Sequence, residues 1–340
     1  MKELLKNKVA IVTGGGRGIG RGHSLHLAKS GAAVLVNDID SEEAKKVVKE
    51  ILNEGGVAKT SSLDISSREG CSLLIDECVS EFGNIDILVN NAGVLRDKSL
   101  LKMTDEDFDY VWNIHVKGTF WSSQLAALKM KESGKGGSII NTTSGAHFGN
   151  FGQKNYAAAT GAIASMTYTW AIELAKYGIR VNAIGPTGST RMSATFASSK
   201  NTDHDNLPFI DPTSNGPLIA YLSSDLAKKI SGQIFGCGGE RDKSKRKKMS
   251  VIANKYAKKV YLTDDNPRNE NANLIRKTLK QYCQKAKDIS NRRLAIQTAI
   301  LEMHQKDILI IAGKGHEKYQ IIKNKNYLFD DFKVAKDFIK

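Results

Sequence analysis

Short apolar runs rich in β-branched residues alternate, over the first 236 residues, with stretches whose apolar positions recur every three or four residues. The short runs predict strands and the longer stretches predict helices. The predicted strands are Val9–Thr13, Ala33–Asn37, Val57–Ser61, Ile85–Asn90, Ser138–Thr142, Arg180–Ile184 and Gln233–Phe235. The predicted helices include Glu42–Glu54, Arg68–Phe82 and Asp105–Met130. This alternation favours a doubly wound α/β fold, in which helices cover both faces of a parallel sheet.

The same pattern starts again after residue 236 on a smaller scale. The predicted elements are a helix ending near Ala257, a strand at Lys259–Thr263, helices at Asn271–Cys283 and Arg292–Gln305, and a strand at Asp307–Gly313. We therefore expect two domains, 1–236 and 237–340, of which the second is a smaller α/β domain. A chain of 340 residues is long enough for each to bury a core.

The charge divides the chain at nearly the same place. Residues 1–240 hold 25 Lys and Arg against 25 Asp and Glu, whereas residues 241–340 hold 25 against 11. The whole formal net charge of +14 therefore falls in the last hundred residues. The densest basic run, Arg241–Lys248, has no aromatic residues for base stacking. We interpret it as a solvated helix start and expect no nucleic-acid partner.

No metal site, disulfide or membrane span is expected. The four cysteines form no CxxC pair, and the seven histidines are scattered. No apolar run approaches the roughly 18 residues that cross a bilayer, and the N-terminal residues lack the apolar region of a signal peptide. These features predict a cytoplasmic protein with a small-molecule substrate.

A glycine-rich loop, TGGGRGIG from Thr13 to Gly20, follows the first predicted strand and precedes a helix. Glycines at such a junction let the backbone approach a pyrophosphate at the helix N-terminus. The spacing Gly14-x-x-x-Gly18-x-Gly20 departs from the usual GxGxxG, so the loop needs support from its surroundings. Asp38 ends the second strand, where a carboxylate can accept hydrogen bonds from an adenosine ribose, although it can also be a simple turn residue. Such a carboxylate repels a 2′-phosphate and therefore favours NAD over NADP.

Four ordered motifs resemble the classical short-chain dehydrogenases/reductases. They are TGGGRGIG, NNAG at Asn90–Gly93, NTTSGAHFGNFGQKNY at Asn141–Tyr156 and VNAIGPTGSTRM at Val181–Met192. The resemblance covers roughly residues 5–240. Within the family, the residues look most like the 3-hydroxyacyl-CoA dehydrogenase part of multifunctional β-oxidation enzymes, with 3-oxoacyl reductases as the alternative. The resemblance implies a Rossmann-type sheet and oxidoreductase activity on a 3-hydroxyacyl or 3-oxoacyl thioester.

The resemblance also implies which residues hold the cofactor. Those at the pyrophosphate would be Gly14, Gly18, Ile19 and Gly20. Those at the adenosine would be Asp38, Asp64 and Arg17, whose charge partly offsets that of Asp38. Those at the nicotinamide would be Asn90, Ala92, Gly93, Pro186 and Thr190.

Tyr156 would be the general acid/base, and the residue one helical turn later departs from the family. A free tyrosine, with a pKa of about 10, is a poor base at neutral pH. The family places a lysine four residues later, and its charge lowers the tyrosine pKa. This chain has Thr160 there, which can bond a ribose hydroxyl but brings no charge, and Lys154 faces another side of the helix. We expect severely reduced activity with the cofactor site largely intact; a one-base change or a sequence error at Thr160 is the alternative.

The groups that would assist Tyr156 leave alternatives open. Counting back by the family's usual interval gives Thr143, whereas counting along the strand from Asn141 gives Ser144, with one residue deleted from the loop. Strand register favours Ser144. The family's proton-relay asparagine falls at His115, which either relays protons or is a packed helix histidine.

The last hundred residues resemble the C-terminal domain of the Mur ligase that adds meso-diaminopimelate to UDP-MurNAc-dipeptide. The motifs FGCGG-x-RDK-x-KR, DNPR and GKGHE occur in order over roughly residues 234–340. The diaminopimelate pocket that this implies would use Asp265, Asn266, Arg268, Gly313 and Glu317. No GxxGK[ST] phosphate loop occurs in the sequence, so we expect no ligase activity.

These features support three functional hypotheses: an impaired NAD-dependent oxidoreductase, a module that holds NAD but does little chemistry, and a peptidoglycan-related fragment that binds meso-diaminopimelate. The oxidoreductase family packs its oligomers around the last strand and the C-terminus. Because the basic hundred residues follow that strand, the sequence favours a homodimer over a tetramer.

One short segment, Phe235–Gly239, satisfies both resemblances. A strand there is claimed by two sheets and can pair fully in only one of them. We expect the oxidoreductase sheet to keep Gln233–Phe235, which leaves the second domain incomplete. The overlap indicates a chimera formed by recombination or by faulty assembly.

Overall fold

A computed structural model of the chain describes residues 3–190, 192, 210–237, 244–267, 270–313, 318–322 and 325–339. The chain separates into two compact units, Met1–Gly239 and Glu240–Lys340. The boundary lies close to residue 236, where the sequence pattern changes.

A seven-stranded sheet forms the centre of the first unit. Its strands are β1 Val9–Thr13, β2 Ala33–Asn37, β3 Val57–Ser61, β4 Ile87–Asn90, β5 Gly137–Thr142, β6 Ile179–Gly185 and β7 Ile234–Gly236. They pair in the order β3-β2-β1-β4-β5-β6-β7, and every pair is parallel. The helices described in this unit are α1 Gly18–Lys29, α2 Ser41–Asn53, α3 Arg68–Phe82, α4 Asp105–Trp112, α5 Gly118–Ser133, α6 Lys154–Leu174 and α7 Gly216–Ser223. The predicted doubly wound parallel sheet is confirmed.

Apolar residues cover both faces of this sheet, because successive side chains of a strand point in opposite directions. Val12 and Val34 belong to one buried cluster, whereas Ile11 and Leu35 belong to another. A strand buried on both sides reads as a continuous apolar run, which is why the strands stand out in the sequence.

The predicted helix Asp105–Met130 is interrupted. Helix α4 ends at Trp112, a π-helical turn covers Asn113–Lys117, and α5 begins at Gly118. A π turn is closed by hydrogen bonds to the fifth residue back, so it leaves little trace in a pattern with 3.6 residues per turn. His115, within this turn, is buried.

Strand β7 belongs to the first unit, as predicted. Its residues Ile234–Gly236 pair with Ala183, Ile184 and Gly185 of β6. The backbone N–H of Cys237 extends the ladder by donating to the carbonyl of Gly185 at 2.9 Å. The strand that both sequence patterns claim is therefore used by the larger sheet.

The second unit is a smaller α/β structure. Its described elements are α8 Ser244–Tyr256, β8 Tyr261–Leu262, α9 Ala272–Tyr282, β9 Lys287–Asp288, α10 Arg292–Leu301, β10 Tyr319–Ile322, β11 Lys325–Leu328 and α11 Asp331–Lys336. Strands β8 and β9 form a short parallel pair, and β10 and β11 form an antiparallel hairpin. A small apolar cluster around Leu262, Cys283 and Ala286 lies beside the parallel pair.

The prediction of a strand at Asp307–Gly313 is wrong. This segment forms neither strand nor helix, and Ile308 and Ile310 are 87% and 82% exposed. An apolar run becomes a strand only where a neighbour takes up its backbone hydrogen bonds. Such a neighbour is absent from the described part of this unit, and β7, the strand claimed by both patterns, is paired elsewhere.

Helix α10 is also shorter than predicted. It ends at Leu301 instead of Gln305. The carboxylate of Asp307 accepts a hydrogen bond from the backbone N–H of His304 at 2.8 Å. This local bond competes with continuation of the helix. Within the described ranges, no helix of either unit is long and apolar enough to cross a membrane.

Candidate active site

A cleft of about 1180 Å³ lies at the carboxyl ends of the strands of the first unit. Strand order reverses between β1 and β4, and ligands of open parallel sheets bind at such a reversal. Pockets for single small molecules occupy about 300–1000 Å³. This cleft therefore has room for a large cofactor together with a substrate.

The glycine-rich loop between β1 and α1 forms one wall and leaves no space for side chains. A Cβ atom added to Gly20 would lie 2.0 Å from the carbonyl oxygen of Gly14 and 2.5 Å from Nδ2 of Asn91. Arg17, the N-cap of α1, makes no side-chain capping bond, and the first turn holds no acidic residue. The first N–H groups of α1 are therefore available to an anion, as a pyrophosphate requires.

Asp38 and Arg17 both line the cleft, but Arg17 forms ion pairs with two other carboxylates. Asp38 follows β2, lines the cleft and accepts a hydrogen bond from the backbone N–H of Gly16 at 3.0 Å. Arg17 pairs with Asp40 at 2.5 Å and with Glu43 at 3.0 Å. The bond to Glu43 raises the pKa of the Arg17 guanidinium. Arg17 also interacts electrostatically with Asp38, but more weakly than with Glu43 and Asp40, so it offsets the charge of Asp38 only in part.

The remaining residues predicted at the cofactor also line this cleft. They are Gly14, Gly18, Ile19, Asp64, Asn90, Ala92, Gly93, Pro186 and Thr190. The Asn90 amide donates to Ser123 Oγ at 2.8 Å and to Asn141 Oδ1 at 2.9 Å. These bonds join β4 to helix α5 and to strand β5, so Asn90 has a structural role beside its place in the lining.

Tyr156 and Ser144 come together at the opposite wall. Tyr156 lies in the first turn of α6 and lines the cleft together with Ser144. Burial raises the pKa of Tyr156, and the nearby Ser144 hydroxyl partly opposes that effect. Ser144 follows β5 and accepts a hydrogen bond from the backbone N–H of Ala146 at 3.2 Å. A phenol and a hydroxyl are thus directed at one place in the cleft.

The two threonines near this pair use their hydroxyls elsewhere. Thr143 Oγ1 donates to the backbone carbonyl of Thr160 at 2.9 Å, which favours Ser144 over Thr143 as the partner of Tyr156. Thr160 Oγ1 donates to the carbonyl of Tyr156 at 2.8 Å, within its own helix. Thr160 is only 1% exposed and is not part of the cleft lining, contrary to the expected contact with a ribose hydroxyl. A threonine in a helix readily bonds the carbonyl four residues back, and that bond accounts for its position.

Positive charge is scarce beside Tyr156. Lys154 directs its ammonium to the carbonyl of Ser99 at 2.9 Å, in agreement with the expected orientation away from Tyr156. Among the described residues that line the cleft, Arg17 is the one lysine or arginine, and it sits in the glycine-rich loop. The described part of the cleft therefore offers no substitute for the missing lysine.

His115 packs against Tyr156 from the π-helical turn. Their ring centroids are 5.3 Å apart with the planes at 81°. Its Nε2 lies 2.9 Å from the backbone nitrogen of Val94 and 3.0 Å from its carbonyl oxygen. Burial lowers the pKa of His115, which keeps the ring neutral at physiological pH. The histidine lines the cleft as well as packing in the helix, so both interpretations of it remain compatible with its position.

Sequence reasoning missed several residues at the substrate end. Gln153 is buried, lines the cleft and donates to Asp97 Oδ2 at 2.9 Å. Asn150 lines the cleft too and donates to Gln153 Oε1 at 2.8 Å. The one sequence feature that could have pointed to these two residues is their position between Ser144 and Tyr156, because no motif gives a role to a single amide side chain. Among the residues that the structure describes, no group of His, Cys, Asp and Glu could hold a metal ion.

The second unit brings two of its motifs together. Gly313 has φ +117°, and a Cβ atom there would lie 2.7 Å from the Asp265 carboxylate. Asn266 is 2% exposed, and the Gln320 amide donates to the backbone carbonyl of Asp265 at 2.8 Å. Arg268 and Glu317 lie outside the described residues. Their assignment to a diaminopimelate pocket stays a prediction.

Comparison with known families agrees with both resemblances. Residues 8–201 match the family described as short chain dehydrogenase, and residues 220–315 match the family described as Mur ligase, glutamate ligase domain. A solved short chain dehydrogenase from Mycobacterium avium has a TM-score of 0.63 and 37% identity, and the match covers 70% of this chain and 85% of that one.

Several curated proteins are similar to the first unit. The peroxisomal hydratase-dehydrogenase-epimerase of Saccharomyces cerevisiae is 43% identical over 69% of this chain, which spans only 26% of that protein. The 3-oxoacyl-[acyl-carrier-protein] reductase FabG of Thermotoga maritima is 36% identical over 69% of this chain and 98% of the reductase. The hydroxyacyl-CoA dehydrogenase ChsB1 of Mycobacterium tuberculosis is 37% identical over 68% of this chain and 77% of its own length.

Proposed function

We propose that this chain, which belongs to the short-chain dehydrogenase family, is an NAD-dependent oxidoreductase for 3-hydroxyacyl or 3-oxoacyl thioesters whose turnover is limited by Thr160. The observation that carries the proposal is that Tyr156 and Ser144 lie together in the lining of the cleft that the glycine-rich loop borders. Relatives described as a hydroxyacyl-CoA dehydrogenase and a 3-oxoacyl reductase support this substrate class.

The reaction separates a hydride from a proton. In the direction of oxidation, the carbinol carbon loses a hydride and its hydroxyl loses a proton. The residues expected at the nicotinamide, Asn90, Ala92, Gly93, Pro186 and Thr190, would hold the group that supplies the hydride acceptor. Ser144 donates a hydrogen bond to the substrate oxygen, and Tyr156 takes the proton. Because burial raises the pKa of Tyr156, its base form is scarce at neutral pH and proton removal limits the rate.

The first test is NADH formation from a 3-hydroxyacyl-CoA. We expect a slow but measurable rate that rises with pH, because the phenol must ionise to act as a base. Tyr156→Phe should lower this rate by about 10²–10⁴-fold, since it removes the acid/base group. If neither the wild type nor Thr160→Lys forms NADH with short-chain or long-chain substrates, the catalytic proposal is lost.

Two neighbouring hydroxyls provide a matched pair within the same assay. Ser144→Ala should lower kcat by about 10²-fold, because Ser144 contacts the reacting oxygen. Thr143→Ala removes a bond to a backbone carbonyl and should chiefly lower stability, by about 1 kcal/mol. A larger loss of kcat in Thr143→Ala than in Ser144→Ala would make Thr143 the donor to the substrate oxygen.

Cofactor preference follows from Asp38. We expect kcat/KM with NAD to exceed that with NADP by about tenfold or more, because the Asp38 carboxylate would repel a 2′-phosphate. Asp38→Asn keeps an acceptor for the Gly16 N–H, removes the charge and should reduce this preference. Asp64→Asn is the control, since Asp64 would lie at the adenine edge. An unchanged preference in Asp38→Asn would contradict the assignment.

The meeting of Asp265 and Gly313 supports a second function, the binding of meso-diaminopimelate by the second unit. Calorimetry should detect binding at millimolar ligand, and Arg268→Ala should abolish it by removing a bidentate carboxylate partner. Arg293→Ala, at an exposed arginine that pairs with Asp337, is the control. No heat at millimolar ligand would rule out this function.

A further inference from the structure

A second cavity, of about 360 Å³, lies at the amino ends of the same strands, at the edge of the sheet opposite the active-site cleft. Its walls come from the starts of β5 and β6 and from the segment between α7 and β7. It shares no lining residue with the cleft. The charged residues in its lining are Lys8, Asp86, Lys135, Arg180, Asp225 and Lys228, four cations against two anions.

Arg180 reaches into this lining without a carboxylate partner. Its guanidinium donates to the backbone carbonyls of Leu222 at 2.6 Å, Ser224 at 3.2 Å and Ile230 at 3.3 Å. No ion pair of Arg180 occurs in the described part of the chain. Burial lowers the pKa of Arg180, although a guanidinium stays charged at physiological pH. Asp225 attracts Arg180 electrostatically but makes no hydrogen bond to it among the described residues, and the acceptors in direct contact with the guanidinium are neutral. The half-buried cation therefore keeps a positive potential for an anion.

The two acids offset only two of the four positive charges of this lining. Both oxygens of Asp86 accept bonds within the fold, from the backbone N–H of Val9 at 2.8 Å and from the Asn84 amide at 3.1 Å. The Asp225 side chain is 91% exposed and lies 4.0 Å from Lys8. The excess of two positive charges therefore remains.

A buried hydroxyl in the lining has no hydrogen-bond partner among the residues that the structure describes. It belongs to Ser223, which is 5% exposed. The other serines of the lining are satisfied, because Ser138 Oγ donates to the carbonyl of Leu222 and Ser231 Oγ accepts from the N–H of Val181. An unpaired buried hydroxyl costs about 1–3 kcal/mol, so a ligand that accepts a hydrogen bond from it is favoured.

We propose that this cavity binds the phosphate group of a small molecule through Arg180, Ser223 and Lys228. A guanidinium, an ammonium and a hydroxyl donor suit the several acceptor oxygens of a phosphate. The cavity is at the lower end of the range for small-molecule pockets, so it fits a phosphorylated metabolite better than a dinucleotide. The site is distinct from the cofactor cleft and does not depend on the reductase chemistry.

Calorimetry with inorganic pyrophosphate tests this site. The protein is first saturated with NAD, so that pyrophosphate does not enter the cofactor cleft. We expect binding that persists under NAD and weakens as ionic strength rises. Ser223→Ala should weaken it about tenfold without lowering the melting temperature, because the variant removes an unsatisfied hydroxyl. A residue needed only for packing would lower the melting temperature instead.

Two adjacent lysines provide the matched control. Lys228→Ala should weaken pyrophosphate binding by about three- to tenfold, whereas Lys229→Ala, at an exposed lysine outside the lining, should leave it unchanged. Tighter binding of glycerol 3-phosphate than of inorganic phosphate would assign the site to a phosphorylated metabolite, and equal binding would assign it to free phosphate. The proposal is overturned if NAD removes all pyrophosphate binding, or if Ser223→Ala and Lys228→Ala bind as the wild type does.

Discussion

Thr160→Lys is expected to raise kcat/KM for 3-hydroxyacyl-CoA oxidation by about 10²–10⁴-fold. The residue lies one helical turn after Tyr156, so an ammonium there would sit beside the phenol. Burial without a cation now raises the pKa of Tyr156. An added positive charge lowers that pKa and increases the fraction of phenolate at neutral pH.

The pH dependence of kcat/KM distinguishes a lowered pKa of Tyr156 from a gain in activity that comes only from a more stable fold. Oxidation by the wild type should still be rising at high pH, because a phenol with a raised pKa ionises late. The profile of Thr160→Lys should level off at lower pH. Thr160→Met, which is uncharged and similar in length to lysine, should shift neither the rate nor the profile.

The same comparison decides between a slow enzyme and a module that only binds NAD. Thr160 is buried, so the longer side chain must find room, and overpacking costs about 1–3 kcal/mol. Melting temperatures of both variants therefore accompany the kinetics. Wild-type turnover within tenfold of Thr160→Lys, in a lysine variant that is folded, would remove the binding-module hypothesis and would show that the lysine is dispensable.

Gly20→Ala is expected to weaken NAD binding by about 10–100-fold and to lower the melting temperature. Its Cβ would lie 2.0 Å from the carbonyl oxygen of Gly14 and 2.5 Å from the Asn91 amide. The Asn91 amide itself donates to the carbonyls of Thr13 and Gly14, both at 3.0 Å. The added methyl would separate the two loops that these bonds join, at a cost of about 1–3 kcal/mol.

Gly161→Ala is the matched control for this prediction. Gly161 lies inside α6, and the nearest atom to an added Cβ is 3.7 Å away. This variant should retain NAD binding and gain about 0.5–1 kcal/mol of stability, since alanine is preferred to glycine within a helix. Titration of NADH fluorescence measures both affinities. Equal affinities in Gly20→Ala and the wild type would contradict the role of the loop.

Much of the first unit was predictable because its signals are local. Strands β1, β2 and β3 and helix α3 have the predicted bounds. Buried apolar runs mark β1 and β2, and Ser67 and Gly83 mark the two ends of α3. The preference for Ser144 over Thr143 rests in the sequence on strand register, and which hydroxyl assists Tyr156 stays a prediction. The structure adds a bond from Thr143 to the Thr160 carbonyl that favours the same choice.

Other features depend on partners that a local pattern cannot contain. The π-helical turn at Asn113–Lys117 follows a helical pattern on both sides, so nothing marks the extra residue. The Thr160 hydroxyl donates to the carbonyl of Tyr156 inside the helix instead of pointing into the cleft, and the sequence does not show which of the two it does. The segment Asp307–Gly313 has the composition of a strand, but pairing is a property of its neighbours.

The partly exposed apolar run from Ile308 to Ala312 also affects how copies of the protein behave together in solution. An apolar, uncharged segment without a strand partner in the described part of its unit is a template for a strand from another molecule, and such addition leads to aggregation. The formal charge of +14, carried by the same hundred residues, keeps the copies apart by mutual repulsion. Salt screens that repulsion but leaves the apolar attraction, so colloidal stability of this protein should fall as ionic strength rises.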